Sequence, residues 1–388
     1  MAASSPALSI NPVPTPRIRV LMVCKDDEPG GTTRHYVDLA RGLAELGVAV
    51  ELLVPGRPGR EHEVAAPGCT VRRVRSFARM FSTELSPAAL FETAVRGANI
   101  VHLHQPNPLG LLGVLARGRT PLVVTYHCAM ARTFGPLGAV YRRLQQALFS
   151  RADRVIVTSP PMRESFDLRE FGDRVDVVPM GLRFDRMMPR PEDVEPARAL
   201  RERYGPRVVL FVGRLVYYKG LDVLIEAARR VPAAFVLVGD GNERTRLEAK
   251  AAELGVTSRV HFTGHLSDDE LRAHLLAADV VTLPSTVSEA FGLVQLEAAL
   301  CGRPMVTTRL GTGIEWVNRH GVTGLVVPPG DAEALAAALS ELLDDPARAA
   351  RLGEAARARA LAEFDAATMA ARTLGIYREV LAARAATA

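Results

Sequence analysis

Short apolar runs rich in β-branched residues recur along the chain, and the intervals between them carry amphipathic, helix-like patterns. In the first half the runs are Ile18–Cys24, Ala49–Val54, Ile100–His104, Leu122–Tyr126 and Val155–Thr158. In the second half they are Val208–Val212, Phe235–Val238, Val260–Phe262, Val280–Leu283 and Met305–Thr307. Runs that are apolar at consecutive positions belong to strands covered on both faces, and strands separated by helices pair in parallel. The pattern predicts an α/β fold with two doubly wound, Rossmann-like sheets. Prolines crowd an aperiodic stretch from Val178-Pro179-Met180-Gly181 to Pro189-Arg190-Pro191, which marks a boundary between two domains. The alanine- and arginine-rich sequence from Asp331 onward reads as helical, and its last piece has no strand after it to pair with. It is expected to pack back on the first domain. The division is a leader at 1–16, an N-terminal domain at 17–186, a C-terminal domain at 187–365 and a terminal helix at 366–388.

Composition narrows the class. With 388 residues, 48% hydrophobic and 23% charged, the chain has the balance of a soluble globular protein with a sizeable core in each half. Cys24, Cys69, Cys128 and Cys301 are scattered, which argues against a disulfide framework or a zinc site and for a reducing, cytoplasmic setting. The leader holds Pro6, Pro12, Pro14 and Pro16, lacks the basic start and apolar run of a signal peptide, and is expected to be disordered. The apolar run Leu109–Ala116 is far shorter than the roughly 20 residues that span a bilayer. Positive charge is concentrated early: residues 1–188 hold 24 Lys and Arg against 17 Asp and Glu, and residues 189–388 hold 24 against 26. Arg72, Arg73, Arg75, Arg142 and Arg143 are either a solvated surface or a peripheral contact with anionic lipid. Nucleic acid is disfavoured, because aromatics are only 5% of residues and do not interleave with the basic positions.

In a doubly wound sheet, ligands bind beyond the carboxyl ends of the strands, so the residues that follow each strand carry the candidate chemistry. After Ile18–Cys24 come Gly30 and Gly31 at a helix start, where backbone N–H groups can approach a phosphate, although a Gly-Gly pair is also an ordinary turn. After Val208–Val212 comes Gly213-Arg214 and then Lys219-Gly220. The chain has three lysines and forty-five arginines, so a lysine on this turn is not a generic surface cation. A guanidinium beside a compact ammonium suits a pyrophosphate whose charge grows as a bond to it breaks. After Val280–Leu283 comes Glu289, with a helix expected from about Phe291-Gly292, and Glu297 eight residues on. On an ideal helix those carboxylates lie roughly 12 Å apart along the axis, too far for a glycosidase pair, which needs about 5 to 9.5 Å. Separate hydroxyl contacts fit better. The helix is apolar nearly all round, so Glu297 must be paired or face a cleft.

His127 follows Leu122–Tyr126 and is expected to reach the cleft. His102 and His104 alternate on one strand face, but a third metal ligand at suitable spacing is missing, so cleft lining or core hydrogen bonding is the favoured reading over a metal. Gly239-Asp240-Gly241-Asn242 is a turn with only a fragment of the dinucleotide glycine pattern, which disfavours a nicotinamide enzyme.

These elements resemble glycosyltransferase family 4, the retaining nucleotide-sugar transferases of GT-B fold, in which two Rossmann-like domains face each other across a cleft. The resemblance rests on Glu289…Glu297, on Gly213-Arg214…Lys219-Gly220, on Gly30-Gly31 and on Val178-Pro179-Met180-Gly181, and it runs from Arg17 to the final helix. It implies that Arg214 and Lys219 contact the donor diphosphate beside Gly30, Gly31 and Gly213, and that Glu297 holds the ribose hydroxyls. It also implies that Glu289, with the backbone at Phe291, Gly292 and Leu293, holds the donor sugar, and that His127 lies beside the reacting carbon. Such enzymes use no metal and no cofactor beyond the nucleotide sugar. Met180 stands where the family has asparagine, so any role of that side chain does not carry over. Ser288–Ala298 and Gly311-Thr312-Gly313-Ile314-Glu315-Trp316-Val317 look most like the bacterial polysaccharide and O-antigen subgroup, which points to GDP-mannose or a related donor and a lipid-linked or oligosaccharide acceptor. UDP-hexoses compete as donors. A nucleotide-sugar epimerase of the same fold and a catalytically silent partner subunit are the rival functions, and the intact Glu289, Glu297, Arg214 and Lys219 argue against both. The acceptor pocket belongs to first-domain loops, Ser76–Pro87 and Met130–Pro136, which carry no chemical signature.

Overall fold

The computed structural model describes residues 18–387 except 26–29, 57–61, 77, 81–82, 87–96, 117–119, 128–137, 166 and 288. The leader at 1–16, the loop at 130–136, part of the loop at 76–87, Cys128 and Ser288 lie outside the described residues.

The first sheet is built from β1 (Arg19–Val23), β2 (Ala49–Gly56), β3 (His62–Ala66), β4 (Cys69–Arg75), β7 (Ile100–Gln105), β8 (Leu122–Tyr126), β9 (Arg154–Val157) and β10 (Val175–Val177), while β5 (Ala78–Met80) and β6 (Thr83–Leu85) form a separate hairpin. Its order is β10-β9-β8-β7-β1-β2-β4-β3, parallel except for the edge pair β3–β4. The second sheet contains β11 (Val208–Val212), β12 (Ala234–Val238), β13 (Val260–Gly264), β14 (Val280–Leu283), β15 (Met305–Thr308) and β16 (Gly324–Val327) in the order β13-β12-β11-β14-β15-β16. Two strands at the far edge of the first sheet had no counterpart in the apolar pattern. β4 carries Thr70, Arg72, Arg73 and Arg75, so only part of it contributes to a core.

The period of two along a strand explains why continuous apolar runs were needed. In β1, Val20 and Met22 pack on one side of the sheet with Leu39, Leu43 and Tyr377, whereas Leu21 and Val23 pack on the other side with Leu148 and Phe149. Each fully buried Val or Leu contributes about 1.5–3 kcal/mol.

The chain crosses between domains through Val178–Gly181 and returns beside the same segment. Leu182 N donates to Phe364 O at 2.9 Å and Ala366 N donates to Leu182 O at 3.2 Å. The returning helix Ala366–Ala386 then lays Met369, Ala370, Leu374, Tyr377 and Val380 into the first domain's core, against the helix Gly31–Glu45. Met180, at the departure from the family's asparagine, is 5% exposed and belongs to the second domain's core. Gly181 has no room for a side chain, because a Cβ there would lie 2.5 Å from Asp365 O and 2.7 Å from Ala366 Cα. Gly181→Ala is therefore expected to lower the unfolding free energy by about 1–3 kcal/mol; urea denaturation of the two proteins measures the difference, and equal midpoints would mean that the crossing is not tightly packed.

Candidate active site

In each sheet the strand order reverses beside one pair, β1/β7 in the first and β11/β14 in the second. Connections leave such a pair toward opposite faces, which opens a crevice at the carboxyl ends. Gly30-Gly31 follows β1, Gly213–Lys219 follows β11, Glu289 follows β14, and His127 follows β8, the neighbour of β7. The sequence candidates therefore sit on the rims of two crevices.

The turns after β11 and β14 are drawn together by a glycine. Gly220 is left-handed, with φ 66°, and a Cβ on it would lie 2.0 Å from Pro284 O, so no other residue allows this approach. Thr286 N donates to Tyr218 O at 2.8 Å across the same contact. The result is that Lys219 Nζ donates to Glu289 Oε2, an oxygen that also accepts from Ser285 Oγ at 3.3 Å. The two paired side chains are only 12% and 14% exposed. Arg214, on the same turn, is exposed and donates to Tyr218 OH at 3.3 Å. Glu289 is fixed from behind as well, since Thr312 Oγ1 donates to its carbonyl at 2.6 Å and Gly313 N donates to Ala290 O at 2.8 Å.

The loop that follows differs from the expected helix start. Phe291 is buried against Phe364 and Trp316, Gly292 is left-handed with φ 72°, and the helix runs only over Val294–Leu300. Glu289 and Glu297 are thus not separated by two turns of one helix, and the 12 Å ideal-helix spacing does not apply. Gly292, which the sequence placed in the first turn, instead lies ahead of the helix in left-handed backbone.

Across the cleft, the missing Cβ of Gly31 would lie 3.7 Å from Leu293 Cδ1, so the glycine loop and the Phe291–Leu293 loop face each other. One turn into the helix Gly31–Glu45, Arg34 reaches over and donates to Glu297 Oε1 and, at 3.3 Å, to Asp268 Oδ1. Arg186 from the linker donates to the second oxygen of Asp268. Glu297 is 5% exposed; burial pushes its pKa up, Arg34 opposes that shift, and Asp268 adds to it. Asp38, one turn beyond Arg34, is also buried, has no hydrogen-bond partner for its carboxylate, and is raised by desolvation against the pull of Arg186, Arg34, Arg41 and Arg183.

His102 and His104 share one strand face, as their alternation predicts, with ring centroids 4.5 Å apart. His102 turns into the core, with Nδ1 at 2.6 Å from Tyr377 OH and Nε2 at 2.7 Å from Thr125 Oγ1. His104 instead meets His127, Nδ1 to Nε2 at 3.2 Å, with the rings stacked. The third imidazole that spacing did not reveal is His35, edge-on to both, and ring nitrogens of His35, His104 and His127 lie within 4.8 Å of one another. A metal ligand's second nitrogen is ordinarily oriented by a carboxylate or carbonyl. Among the described residues His104 Nε2, His127 Nδ1 and both nitrogens of His35 lack such partners, although the three rings are spaced as a group that could hold a metal ion. Burial lowers His127 to about 4 and His102 to about 3, with His127's positive form adding to the latter, and holds His35 and His104 well below the ordinary value.

Sequence reasoning singled out Lys219, Arg214, Glu289 and Glu297 and missed Arg34, His35, Asp38, Ser285, Asp268 and Arg186. The one available signal was that Arg34 and Asp38 sit four residues apart on one helix face, beside the glycine loop. Among the described residues Cys69 and Cys301 are free and buried, and no helix is long and apolar enough to cross a membrane. Arg72 spends its charge on Glu51 at 3.2 Å, while Arg142 and Arg143 are exposed.

Two facing doubly wound sheets, with a cation-bearing turn at one crevice and carboxylates beside it, define a glycosyltransferase of GT-B architecture. Residues 29–186 match the family model Glycosyltransferase Family 4, and residues 195–359 match that of Glycosyl transferases group 1. The chain is 34% identical over 335 residues to D-rhamnosyltransferase WbpZ of Pseudomonas aeruginosa, covering 85% of this chain and 87% of that one. It is 31% identical over 372 residues to O-antigen chain mannosyltransferase C of Escherichia coli, covering 94% and 99%. Among solved structures it is similar to sucrose-phosphate synthase of Thermosynechococcus elongatus, with TM-score 0.81, 26% identity and coverage of 95% and 100%. The chain belongs to the family 4 glycosyltransferases.

The depressed imidazoles have a consequence for acid stability. The unfolded histidine titrates near 6.5, so below that value the unfolded chain binds protons that the folded one refuses. Stability is full above about pH 6.5 and declines toward the folded values, by up to about 1.4 kcal/mol per pH unit for each imidazole. Urea melts at pH 7, 6 and 5 should show a shallower decline in His127→Gln than in the parent; identical slopes would mean that His127 is not held neutral.

Proposed function

We propose that this chain is a retaining transferase that moves a hexose, mannose or a related sugar from a GDP-sugar, onto a lipid-linked or oligosaccharide acceptor in cell-surface polysaccharide synthesis. The observation that carries the reading is the Lys219–Glu289 pair, largely withdrawn from water at the β11/β14 crevice with Arg214 on the same turn. A cation and a carboxylate that neutralise each other there are the two groups that a sugar diphosphate separates, its phosphate taking Lys219 and its hydroxyls taking Glu289. The donor sugar and the polysaccharide setting rest on the rhamnosyl- and mannosyltransferase relatives. A mycobacterial GDP-mannose-dependent phosphatidylinositol monomannoside mannosyltransferase, 38% identical over 285 residues and covering 68% of this chain, supports the guanine nucleotide and a lipid acceptor.

In this reading Arg214 and Lys219 grip the diphosphate beside Gly30, Gly31 and Gly213, and Glu297 accepts from the ribose hydroxyls. Glu289 and the backbone at Phe291, Gly292 and Leu293 hold the sugar, with His127 beside its anomeric carbon. As the bond from that carbon to the diphosphate oxygen breaks, the electron pair stays on the leaving phosphate, and the two fixed cations stabilise the charge. The acceptor hydroxyl adds from the face being vacated and passes its proton to the departing oxygen, which retains the anomeric configuration. The chemistry asks for no metal and no covalent enzyme intermediate, and a neutral His127 can offer or accept a hydrogen bond without repelling a carbon that becomes positive. The excess of positive charge in residues 1–188 suits a peripheral position on the inner face of the plasma membrane.

Removing one fixed charge partner of the transition state costs about 10²–10³-fold in turnover. Lys219→Ala should therefore release nucleotide from GDP-mannose that much more slowly than the parent, with Arg214→Ala in the same direction. GDP at about 100 times its dissociation constant should raise the unfolding free energy by about 2.7 kcal/mol. Stabilisation by UDP and not GDP would move the donor assignment to a UDP-hexose, and stabilisation by neither would favour the silent partner subunit.

A further inference from the structure

We propose that Arg34 is a positioning residue for the donor: reaching from the first domain, it holds Glu297 of the second domain ionised and aimed into the cleft. The inference rests on the assignment of Glu297 to the ribose hydroxyls and adds what makes that carboxylate usable. Glu297 is 5% exposed; a carboxyl group accepts from two hydroxyls with both of its oxygens only when charged, and burial favours its neutral form. Arg34 is the cation that donates to it.

The groups around Glu297 leave that task to Arg34. Asp268, at the start of the helix Asp268–Ala277, adds negative charge and is itself shared between Arg34 and Arg186. Arg186 acts on Glu297 through space, but its donors are directed to Asp268. Cys301, one turn on along Glu297's own helix, is buried and pushed up to about 12, so it stays a neutral thiol. On the packed helix Pro346–Glu363, Arg359 is committed to Trp316 O, Val317 O and Glu363. Arg34 is also fixed by the fold: its N–H donates to Gly30 O at 2.9 Å, so the turn that presents Gly30 and Gly31 sets the origin of the side chain. The glycine loop thereby acts on both ends of the donor, at the phosphates directly and at the ribose through Arg34.

Without Arg34 the carboxylate is left buried beside Asp268, and its pKa rises further. Donor affinity needs the ionised form, so it is lost as pH falls through that value, and in an Arg34 variant the loss occurs at higher pH than in the parent. GDP binding measured by calorimetry from pH 5.5 to 8.5 tests this on the parent, Arg34→Gln, Arg34→Lys, Glu297→Gln and the double variant Arg34→Gln/Glu297→Gln. Arg34→Gln is expected to weaken GDP by about tenfold at pH 7 and to move the acid midpoint upward, because a hydrogen bond to a charged group is lost. Arg34→Lys should recover most of both effects, and the double variant should show no carboxylate midpoint. If Glu297→Gln leaves GDP affinity unchanged, the ribose assignment fails whatever Arg34 does. If Glu297→Gln weakens GDP but Arg34→Gln shifts neither affinity nor midpoint, the positioning role is overturned. A uniform loss in Arg34→Gln with the parental midpoint would overturn it too, since that is what a direct phosphate contact or general loosening would give.

Discussion

The fold draws Glu289 and Glu297 out of water at the mouth of a crevice, and each is matched by a cation carried on a different loop. Glu289 is answered by Lys219 within the second domain, and Glu297 by Arg34 from the first. Removing one partner of a buried pair leaves an uncompensated charge, which is costly, so these pairs hold the loops that carry them close. The geometry of the cleft follows from that requirement. Gly220 lets the two turns of the second domain touch, Gly30 starts the helix that sends Arg34 across, and the Phe291–Phe364–Trp316 cluster braces the loop between the two carboxylates.

The two pairs have different consequences. Lys219 and Glu289 belong to one sheet rim, so under the proposed function a donor would exchange one set of contacts for another within a single domain. Arg34 and Glu297 bridge domains, and with Arg186–Asp268 and Arg183–Glu45 they tie the first helix, the linker and the second domain into one charged seam. The imidazoles of His35, His104 and His127 line the first-domain side of the same region, kept neutral by burial. Under the proposed function, a carbon that becomes positive in the cleft would meet uncharged rings on one side, and the growing negative charge on the leaving phosphate would meet Lys219 and Arg214 on the other.

Much of this was legible in the sequence, and the reason lies in which interactions are local. The strands that sit inside the sheets were readable because burial on both faces makes consecutive residues apolar. β4 was not, because at its outer position Arg72, Arg73 and Arg75 alternate with core residues. Lys219 stood out against forty-five arginines, and Glu297 against an apolar helix. Arg34 and His35 did not, because nothing in their neighbourhood names partners that lie 263 residues away for Arg34 and on separate strands for His35. The helix start near Phe291 was misplaced for a similar reason: Gly292 reads as a first-turn residue until its φ of 72° shows that it lies ahead of the helix, with Leu283 occupying the space where a Cβ would stand.

Under the proposed function a nucleotide sugar takes over the charges that the cleft matches internally. A crystal structure with GDP or UDP bound tests it most directly. The expected result is Lys219 Nζ withdrawn from Glu289 and placed on a phosphate oxygen, with Arg214 beside it and the ribose hydroxyls on Glu297. A nucleotide seated elsewhere, with the Lys219–Glu289 pair intact, would contradict it.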